Sequence, residues 1–162
     1  MNIDFILVGK TDSPAVAELV SLYSKRISRW IRFGVVTLPD VKRTAKTPPQ
    51  TIAKNEGEML LRQFSPDDYV VLLDDKGVQY DSMQFANWLG ARISGIGPSG
   101  GARRICFVVG GAYGFSPEVR ARAGESVSLS RMTFSHQIVR AIFAEQLYRA
   151  FSILNNEPYH HE

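Results

Sequence analysis

Apolar residues occur in short, nearly continuous runs that alternate with longer stretches of helical spacing. Three runs have the length and composition of strands buried on both faces: residues 3–8 (IDFILV), 69–73 (YVVLL) and 105–109 (ICFVV). Shorter runs at 35–38 and 127–129 predict two further strands. The chain therefore carries at least five candidate strands, well separated in sequence.

The stretches between these runs have the spacing of helices. Ser13 and Pro14 provide an N-cap and a first-turn proline, and an apolar face follows at Val16, Leu19, Val20, Tyr23 and Ile27. Further helices are predicted at 50–64 and 82–93, in a short segment after Ser116-Pro117, and at 134–154. Alternating strands and helices favour a single α/β domain over residues 1–162, built as a sandwich with a mainly parallel sheet. The polar segment 40–49 is expected to be a mobile loop.

Composition excludes several classes of protein. The 162 residues suffice for one domain with a real core, and no apolar run approaches the roughly 20 residues of a membrane span. The first residues predict a strand rather than a signal peptide. One cysteine, Cys106, lies within an apolar run and is expected to be a small buried hydrophobe in a reducing cytoplasm. Three histidines without a Cys-x-x-Cys partner make a metal site improbable.

The net charge of +3 is weak evidence for a nucleic-acid partner. Basic residues recur in groups that can form a phosphate-tracking surface, or simply solvated helix faces. The groups are Lys25, Arg26, Arg29 and Arg32; Lys42, Arg43 and Lys46; Arg103 and Arg104; and Arg120, Arg122, Arg131, Arg140 and Arg149.

Two glycine segments invite a ligand-binding interpretation, and their contexts differ. Residues 95–100 (GIGPSG) match the dinucleotide fingerprint, but they follow a predicted helix and precede a strand, the reverse of the required order. Gly110, Gly111 and Gly114 instead follow a buried strand and precede a helix cap. Ligands of open α/β sheets bind beyond the carboxyl ends of strands, so this second segment is the candidate pocket. Leu73 is expected to supply an apolar wall.

The last predicted helix and the residues after it carry further candidate groups. Glu145 and Arg149 are spaced for an ion pair on the helix surface. His136 is expected in the first turn with a neutral role, and Arg140 to face a ligand or a phosphate. Residues 155–162 can fray, but they include an aromatic ring and imidazoles able to contact a base.

Four segments in this order resemble the RlmH family of SPOUT-class (α/β-knot) methyltransferases. They are residues 110–116 (GGAYGFS), 129–136 (LSRMTFSH), 145–150 (EQLYRA) and 158–160 (PYH). The resemblance covers nearly the whole chain, and it implies a homodimer with a C-terminal trefoil knot, a feature almost absent among folds. This chain departs from the family pattern at His161, where family members often have a Lys or Arg. A phosphate contact there is expected to be weaker.

The resemblance also implies an enzyme that uses S-adenosylmethionine to methylate N3 of a pseudouridine in 23S ribosomal RNA, on the assembled ribosome in the cytoplasm. Tyr159 and His160 are then expected at the substrate end of the site. The implied cofactor residues are Leu73, Gly110, Leu129, Ser130, Arg131, Met132, Thr133 and Phe134, with no metal. Arg140 or Arg149 is the candidate to neutralise a phosphate or the cofactor carboxylate, and the proton acceptor stays open.

Three other functions are compatible with the sequence. One is a methyltransferase of the same knot class that acts on transfer RNA. Another is a non-catalytic RNA-binding assembly factor that keeps the pocket as a relic, against which the complete glycine segment and tail argue. The third is a flavodoxin-like nucleotide binder, which explains the strand and helix alternation but leaves the tail unexplained.

Overall fold

A five-stranded parallel sheet in the order β2-β1-β4-β3-β5 forms the centre of the protein. The computed structural model describes residues 1–161. The strands are β1 (Asn2–Val8), β2 (Arg32–Leu38), β3 (Asp68–Gln79), β4 (Arg104–Val109) and β5 (Glu125–Ser128). The helices are α1 (Pro14–Ile27), α2 (Pro49–Leu61), α3 (Ser82–Ile93), α4 (Pro117–Arg122) and α5 (Ile138–Leu154).

Both faces of the sheet are buried, which explains the continuous apolar runs of its central strands. Ile3, Phe5 and Leu7 of β1 point to one face and pack in a core with α3 and α5. Ile6 and Val8 point to the other face, where the core includes residues of α2 and α4. Val16 and Val20 of α1 pack with Ala141 of α5 on the first side. The result is an α/β sandwich of helices, sheet and helices.

Most sequence-predicted elements are confirmed. Helix α3 has the predicted bounds because Asp81 accepts from the Gln84 N–H at 2.7 Å, while the Gln84 side chain accepts from the Asp81 N–H at 2.9 Å. This reciprocal capping box fixes the start of the helix locally. The segment 95–100 is a loop with a short 3₁₀ turn rather than a dinucleotide site. Cys106 is fully buried, and burial raises the pKa of its thiol to about 12.

The predicted end of β3 at Leu73 is wrong. The strand continues to Gln79 because Val127 of β5 pairs with both Leu73 and Val78, so residues 74–77 bulge out between two paired segments. A Cβ at Gly77 would lie 2.6 Å from the carbonyl carbon and oxygen of Ser126, so glycine lets the bulge return to the sheet. The bulge places three polar residues at the carboxyl edge of the sheet.

Two other predictions about helices are wrong. Helix α5 begins at Ile138 rather than at residue 134, since the Ser135 Oγ accepts a hydrogen bond from the Ile138 N–H at 3.1 Å and the preceding residues form a loop. Leu19 was expected on the inner face of α1 but is 41% exposed. The buried face of α1 is therefore narrower than the apolar pattern suggests.

Candidate active site

The carboxyl ends of β3, β4 and β5 surround a cavity of about 410 Å³. Three chain segments form its walls: the bulge at the end of β3, the glycine segment after β4, and the loop between β5 and α5. This position, beyond the carboxyl edge of a parallel sheet, is where α/β proteins bind ligands. Its volume lies within the usual range of roughly 300–1,000 Å³ for small-molecule sites.

Seven of the eight residues proposed from the sequence for the cofactor come together here. Those that line the cavity are Leu73, Gly110, Leu129, Ser130, Met132, Thr133 and Phe134. Arg131, the eighth, is exposed and lies outside the lining. Arg131 therefore exposes its side chain to solvent, whereas Ser130 and Met132 on either side line the cavity.

The glycine segment turns sharply after β4. Gly114 has φ of +76°, a left-handed conformation that favours glycine, and its N–H donates to the Gly111 carbonyl at 3.2 Å. A Cβ at Gly110 would lie 3.0 Å from the Phe115 ring, which also lines the cavity. The segment therefore folds back on itself and presents main-chain groups to the cavity.

The loop after β5 is shaped by serine hydroxyls. The Ser130 Oγ accepts from the Met132 N–H at 2.9 Å, and the Ser128 Oγ donates to the Ser130 carbonyl at 2.9 Å. These local bonds hold the backbone in a turn without helix or strand pairing. Met132, at the tip, is 77% exposed and forms part of the cavity rim.

One corner of the cavity carries an ion pair that sequence reasoning missed. Arg120 of α4 lies 2.5 Å from Asp74, and the Asp74 Oδ1 also accepts from the Lys76 N–H at 3.0 Å. Burial alone would raise the pKa of Asp74, but these two donors outweigh it and hold the pKa below its ordinary value. Asp74 is thus a carboxylate at neutral pH, and the corner presents both signs of charge. The sequence signal for this pair is the two consecutive acidic residues, Asp74 and Asp75, directly after the buried run 69–73.

His136 and Arg140 differ from their predicted environments. His136 precedes α5 and lines the cavity, so it is not in a first helical turn. Arg140 is fully buried and lies outside the cavity lining, so it is not positioned to meet a ligand or a phosphate. Its guanidinium donates to the carbonyls of Val8, Gly9 and His136 and to the Thr11 hydroxyl, at 2.8–2.9 Å. Arg140 therefore ties the end of β1 to the start of α5.

The segment after α5 reverses direction through a Schellman motif. Asn156 has φ of +54°, its N–H donates to the Ile153 carbonyl at 3.1 Å, and the Glu157 N–H donates to the Ser152 carbonyl at 2.8 Å. Pro158 follows and cannot extend the helix. These bonds turn the final residues back along α5 instead of into solvent.

The reversed tail packs against the second half of α5. The Tyr159 hydroxyl donates to Glu145 Oε1 at 3.0 Å, and its ring meets Tyr148 edge to face at 4.7 Å. Arg149 binds Glu145 at 2.6 Å, as its spacing predicts, and lies 3.2 Å from Nδ1 of His160. Burial, together with hydrogen bonds involving Tyr23 and Glu145, raises the pKa of Tyr159 above its ordinary value. Tyr159 is therefore a hydrogen-bonding phenol and a poor base near neutral pH.

Within one chain the tail and the cavity lie apart. Tyr159 and His160 are outside the lining, and they contact α5 at Glu145 and Arg149, whereas Val139 of the same helix lines the cavity. Six to ten residues of helix separate these positions, which corresponds to roughly 9–15 Å along the axis. The residues predicted for substrate and for cofactor thus form two clusters at opposite ends of α5.

In the part of the chain that the structure describes, no group of His, Cys, Asp and Glu residues could hold a metal ion. Among the same 161 residues, no helix combines the length and the apolar character needed to span a bilayer.

Comparison with known proteins gives one consistent result. Residues 1–160 match the family described as "Predicted SPOUT methyltransferase". A "Ribosomal RNA large subunit methyltransferase H" from Parabacteroides distasonis is 45% identical over 162 residues and covers 100% of both chains. Proteins with the same description from Christiangramia forsetii and Flavobacterium johnsoniae are 45% and 42% identical, over 99% and 100% of this chain and of the relative.

Proposed function

The chain belongs to the SPOUT methyltransferase family, and from this we propose that it methylates N3 of a pseudouridine in 23S ribosomal RNA with S-adenosylmethionine as the methyl donor. The observation that carries the proposal is the cavity at the carboxyl edge of the sheet, lined by residues from the segments that resemble the RlmH family. The descriptions of the relatives as large-subunit ribosomal RNA methyltransferases support the substrate.

The cavity has the chemistry that this donor requires. Leu73, Val109 and Leu129 provide apolar walls for an adenine ring, and the main chain of the glycine segment provides hydrogen-bonding groups beside them. The Asp74–Arg120 corner offers a carboxylate and a guanidinium, which complement the ammonium and carboxylate of an amino-acid tail. S-adenosylmethionine, when bound, supplies a methyl group already activated by its positive sulfur.

The task left to the protein is to position two reactants and to dispose of one proton. Holding the uracil-like N3 in line with the methyl group, at about 3 Å, makes a bimolecular step effectively unimolecular. The N3–H proton then passes to a base or to water. His160 and His136 are the imidazoles available near the two clusters. The raised pKa keeps the Tyr159 phenol protonated, and its hydroxyl donates to Glu145, which also binds the Arg149 that contacts His160.

A homodimer brings the two clusters together. Helices α1 and α5 pack side by side on one face of the sheet, and they expose Leu19, Leu22 and Ile138 at 41%, 40% and 41%. Burying such apolar side chains against a second copy is favourable. If two copies pair with their α5 helices antiparallel, the tail end of one helix, about 25 Å long, lies beside the cavity end of the other. Each site would then combine the cavity of one chain with Tyr159 and His160 of its partner.

The RNA surface is expected around the cavity rim. Tyr113 and Met132 are 50% and 77% exposed there, and the loop 39–48 carries Lys42, Arg43 and Lys46. Exposed aromatic rings stack on unpaired bases, and basic loops contact phosphate. A chain of this size covers little RNA, so we propose that the assembled 70S ribosome is the substrate.

The test is methylation by the purified protein of ribosomal particles from cells lacking it. We expect incorporation of one methyl group per 70S particle, mapped by mass spectrometry to a pseudouridine of 23S ribosomal RNA, and little on free 23S ribosomal RNA. Methylation of transfer RNA instead would assign a different substrate within the family. Binding of S-adenosylmethionine without any methylated RNA would contradict the enzymatic proposal.

A further inference from the structure

Glu56 of α2 is a buried acidic residue whose carboxyl group is not fully hydrogen-bonded. Glu56 is 4% exposed, and its Oε2 atom has no hydrogen-bond partner among the described residues. The ion pairs of residues 1–161 do not include it. Burying a carboxyl group without a close cation is costly, so a purely structural position would favour an apolar side chain. The presence of a carboxyl group at this position therefore suggests a role that depends on the residues it contacts.

The Glu56 carboxyl group packs directly behind the glycine segment of the cavity. Burial raises the pKa of this carboxyl group above its ordinary value, and the neighbouring Gly111 N–H opposes that shift. A Cβ at Gly111 would lie 2.4 Å from Oε1 and 2.6 Å from Oε2, distances that no real Cβ tolerates. Gly111 lines the cavity, whereas Glu56 lies outside the lining. The carboxyl group thus occupies the far side of the peptide whose near side faces the ligand.

The next residue of α2 holds the other end of the same segment. A Cβ at Gly57 would lie 2.3 Å from the Ser116 hydroxyl, and Ser116 caps α4 by accepting from the Val119 N–H. Two consecutive residues of α2, Glu56 and Gly57, therefore pack closely against the two ends of the segment 111–116. The charges nearest to Glu56 come from the loop before α2, where Arg43 favours the carboxylate and Asp40 opposes it.

We propose that Glu56 is a positioning residue for cofactor binding: its carboxyl group anchors the Gly111 peptide so that the turn at 110–114 presents its main chain to S-adenosylmethionine. The proposal rests on the proposed function for the identity of the ligand. Glu56 acts through Gly111 and does not touch the cofactor. A shifted Gly111 peptide would misplace main-chain groups that contact the cofactor, so loss of the Glu56 carboxyl group is expected to weaken cofactor binding rather than the chemical step.

A double-mutant cycle tests the anchor. Glu56→Ala and Gly111→Ala are each expected to weaken S-adenosylmethionine binding about tenfold or more, measured by calorimetry. The double variant should bind no worse than Glu56→Ala, because removing the carboxyl group makes room for the new Cβ. Glu56→Gln retains the shape and an acceptor oxygen, so it should recover most of the affinity. Glu58→Ala removes an exposed carboxylate from the same helix and serves as the matched control.

Two further readouts separate an anchor from a general stabilising role. In steady-state kinetics the KM for S-adenosylmethionine should rise in Glu56→Ala, while kcat at saturation stays within about threefold. Hydrogen exchange at residues 110–114 should accelerate in this variant without any ligand. Wild-type affinity in Glu56→Ala with a lowered Tm, or multiplicative losses in the double variant, would overturn the proposal.

The same measurements distinguish failure of the proposed function from failure of the role of Glu56. If exchange at 110–114 accelerates in Glu56→Ala but the wild-type protein does not bind S-adenosylmethionine, the proposed function fails and the role of Glu56 as the anchor of this turn stands. If the wild-type protein binds the cofactor and Glu56→Ala binds it equally well, the proposed function stands and the positioning role fails.

Discussion

The two ends of helix α5 carry the two halves of the candidate site, and they are built differently. At its start the cavity is made largely of main chain: glycines, serine-shaped turns and a bulge of β3. At its end the tail is made of side chains, with Tyr159 and His160 held by Glu145 and Arg149. All the residues that line the cavity come from one chain. Tyr159 and His160 of that chain, the candidates for contact with the substrate, do not reach its own cavity.

This difference suggests how the work is divided. A site formed by main-chain groups tolerates most side-chain substitutions but is very sensitive to any added side-chain volume at its glycines. This is expected of a site that binds the same cofactor in every cycle. By contrast, the side chains of Tyr159 and His160 lie on a short tail, which can adjust its position when it meets RNA. We therefore expect changes at the two ends of α5 to separate cofactor binding from methyl transfer.

The largest expected effect is at the cavity. Gly110→Val should weaken S-adenosylmethionine binding by about a hundredfold or more, because its branched side chain meets a Phe115 ring that is already 3.0 Å from a simple Cβ. Calorimetry measures it. Gly100→Val is a matched control, since its Cβ also meets neighbours at 3.3 Å but lies in the loop before β4, outside the cavity. Normal affinity in Gly110→Val would contradict the placement of the cofactor.

The next effect is at the tail. His160→Ala should lower the rate of ribosomal RNA methylation by about a hundredfold while leaving cofactor affinity within twofold, since the imidazole is remote from the cavity of its own chain. The exposed neighbour provides the control, and His161→Ala should cost less than about threefold. Unchanged turnover in His160→Ala would remove the tail from the mechanism.

Combining the two variants tests whether the halves come from different chains. A heterodimer of Gly110→Val with His160→Ala, purified through two tags, contains one site with an intact cavity and an intact tail if the tail acts across the dimer. It should show about half the wild-type activity, whereas both parent homodimers are nearly inactive. An inactive heterodimer would mean that each tail serves its own cavity.

The elements set by local interactions could be predicted from the sequence. Helix α3 follows from its capping box, and the central strands follow from apolar runs that only a sheet covered on both faces explains. Of the eight cofactor residues that the family resemblance implies, seven line the cavity. In each case the deciding interaction lies within a few residues or within a motif.

The features that escaped prediction depend on contacts between distant residues. The bulge of β3 depends on pairing with β5 and on close approach of Gly77 to Ser126. Arg140 was assigned to a ligand because its acceptors, the carbonyls of Val8 and Gly9, lie more than 130 residues away in sequence. The contact of Glu56 with Gly111 could not be predicted for the same reason, because the two residues are distant in sequence. A charged residue in a helical pattern does not disclose whether it faces solvent or the core.

The smallest effect is expected at the opposite edge of the sheet, where Arg104 binds Asp4 at 2.8 Å and also binds Asp68. Asp68→Asn should lower the free energy of unfolding by about 1–3 kcal/mol at pH 7 and leave cofactor binding and methylation unchanged. Burial would raise the pKa of Asp68, but hydrogen bonds from Arg104 and the Ser65 N–H hold it below its ordinary value.

The carboxylate of Asp68 therefore stabilises the fold above the unfolded-state pKa of about 3.9, and this contribution is lost as the pH falls through the lower folded-state value. Urea unfolding at pH 7 and at pH 3 should show the gap between wild type and Asp68→Asn narrowing in acid. Asp67→Asn, an exposed neighbour, should change stability by less than about 0.5 kcal/mol at either pH. An equal gap at both pH values would mean that packing, rather than the charge on Asp68, carries the effect.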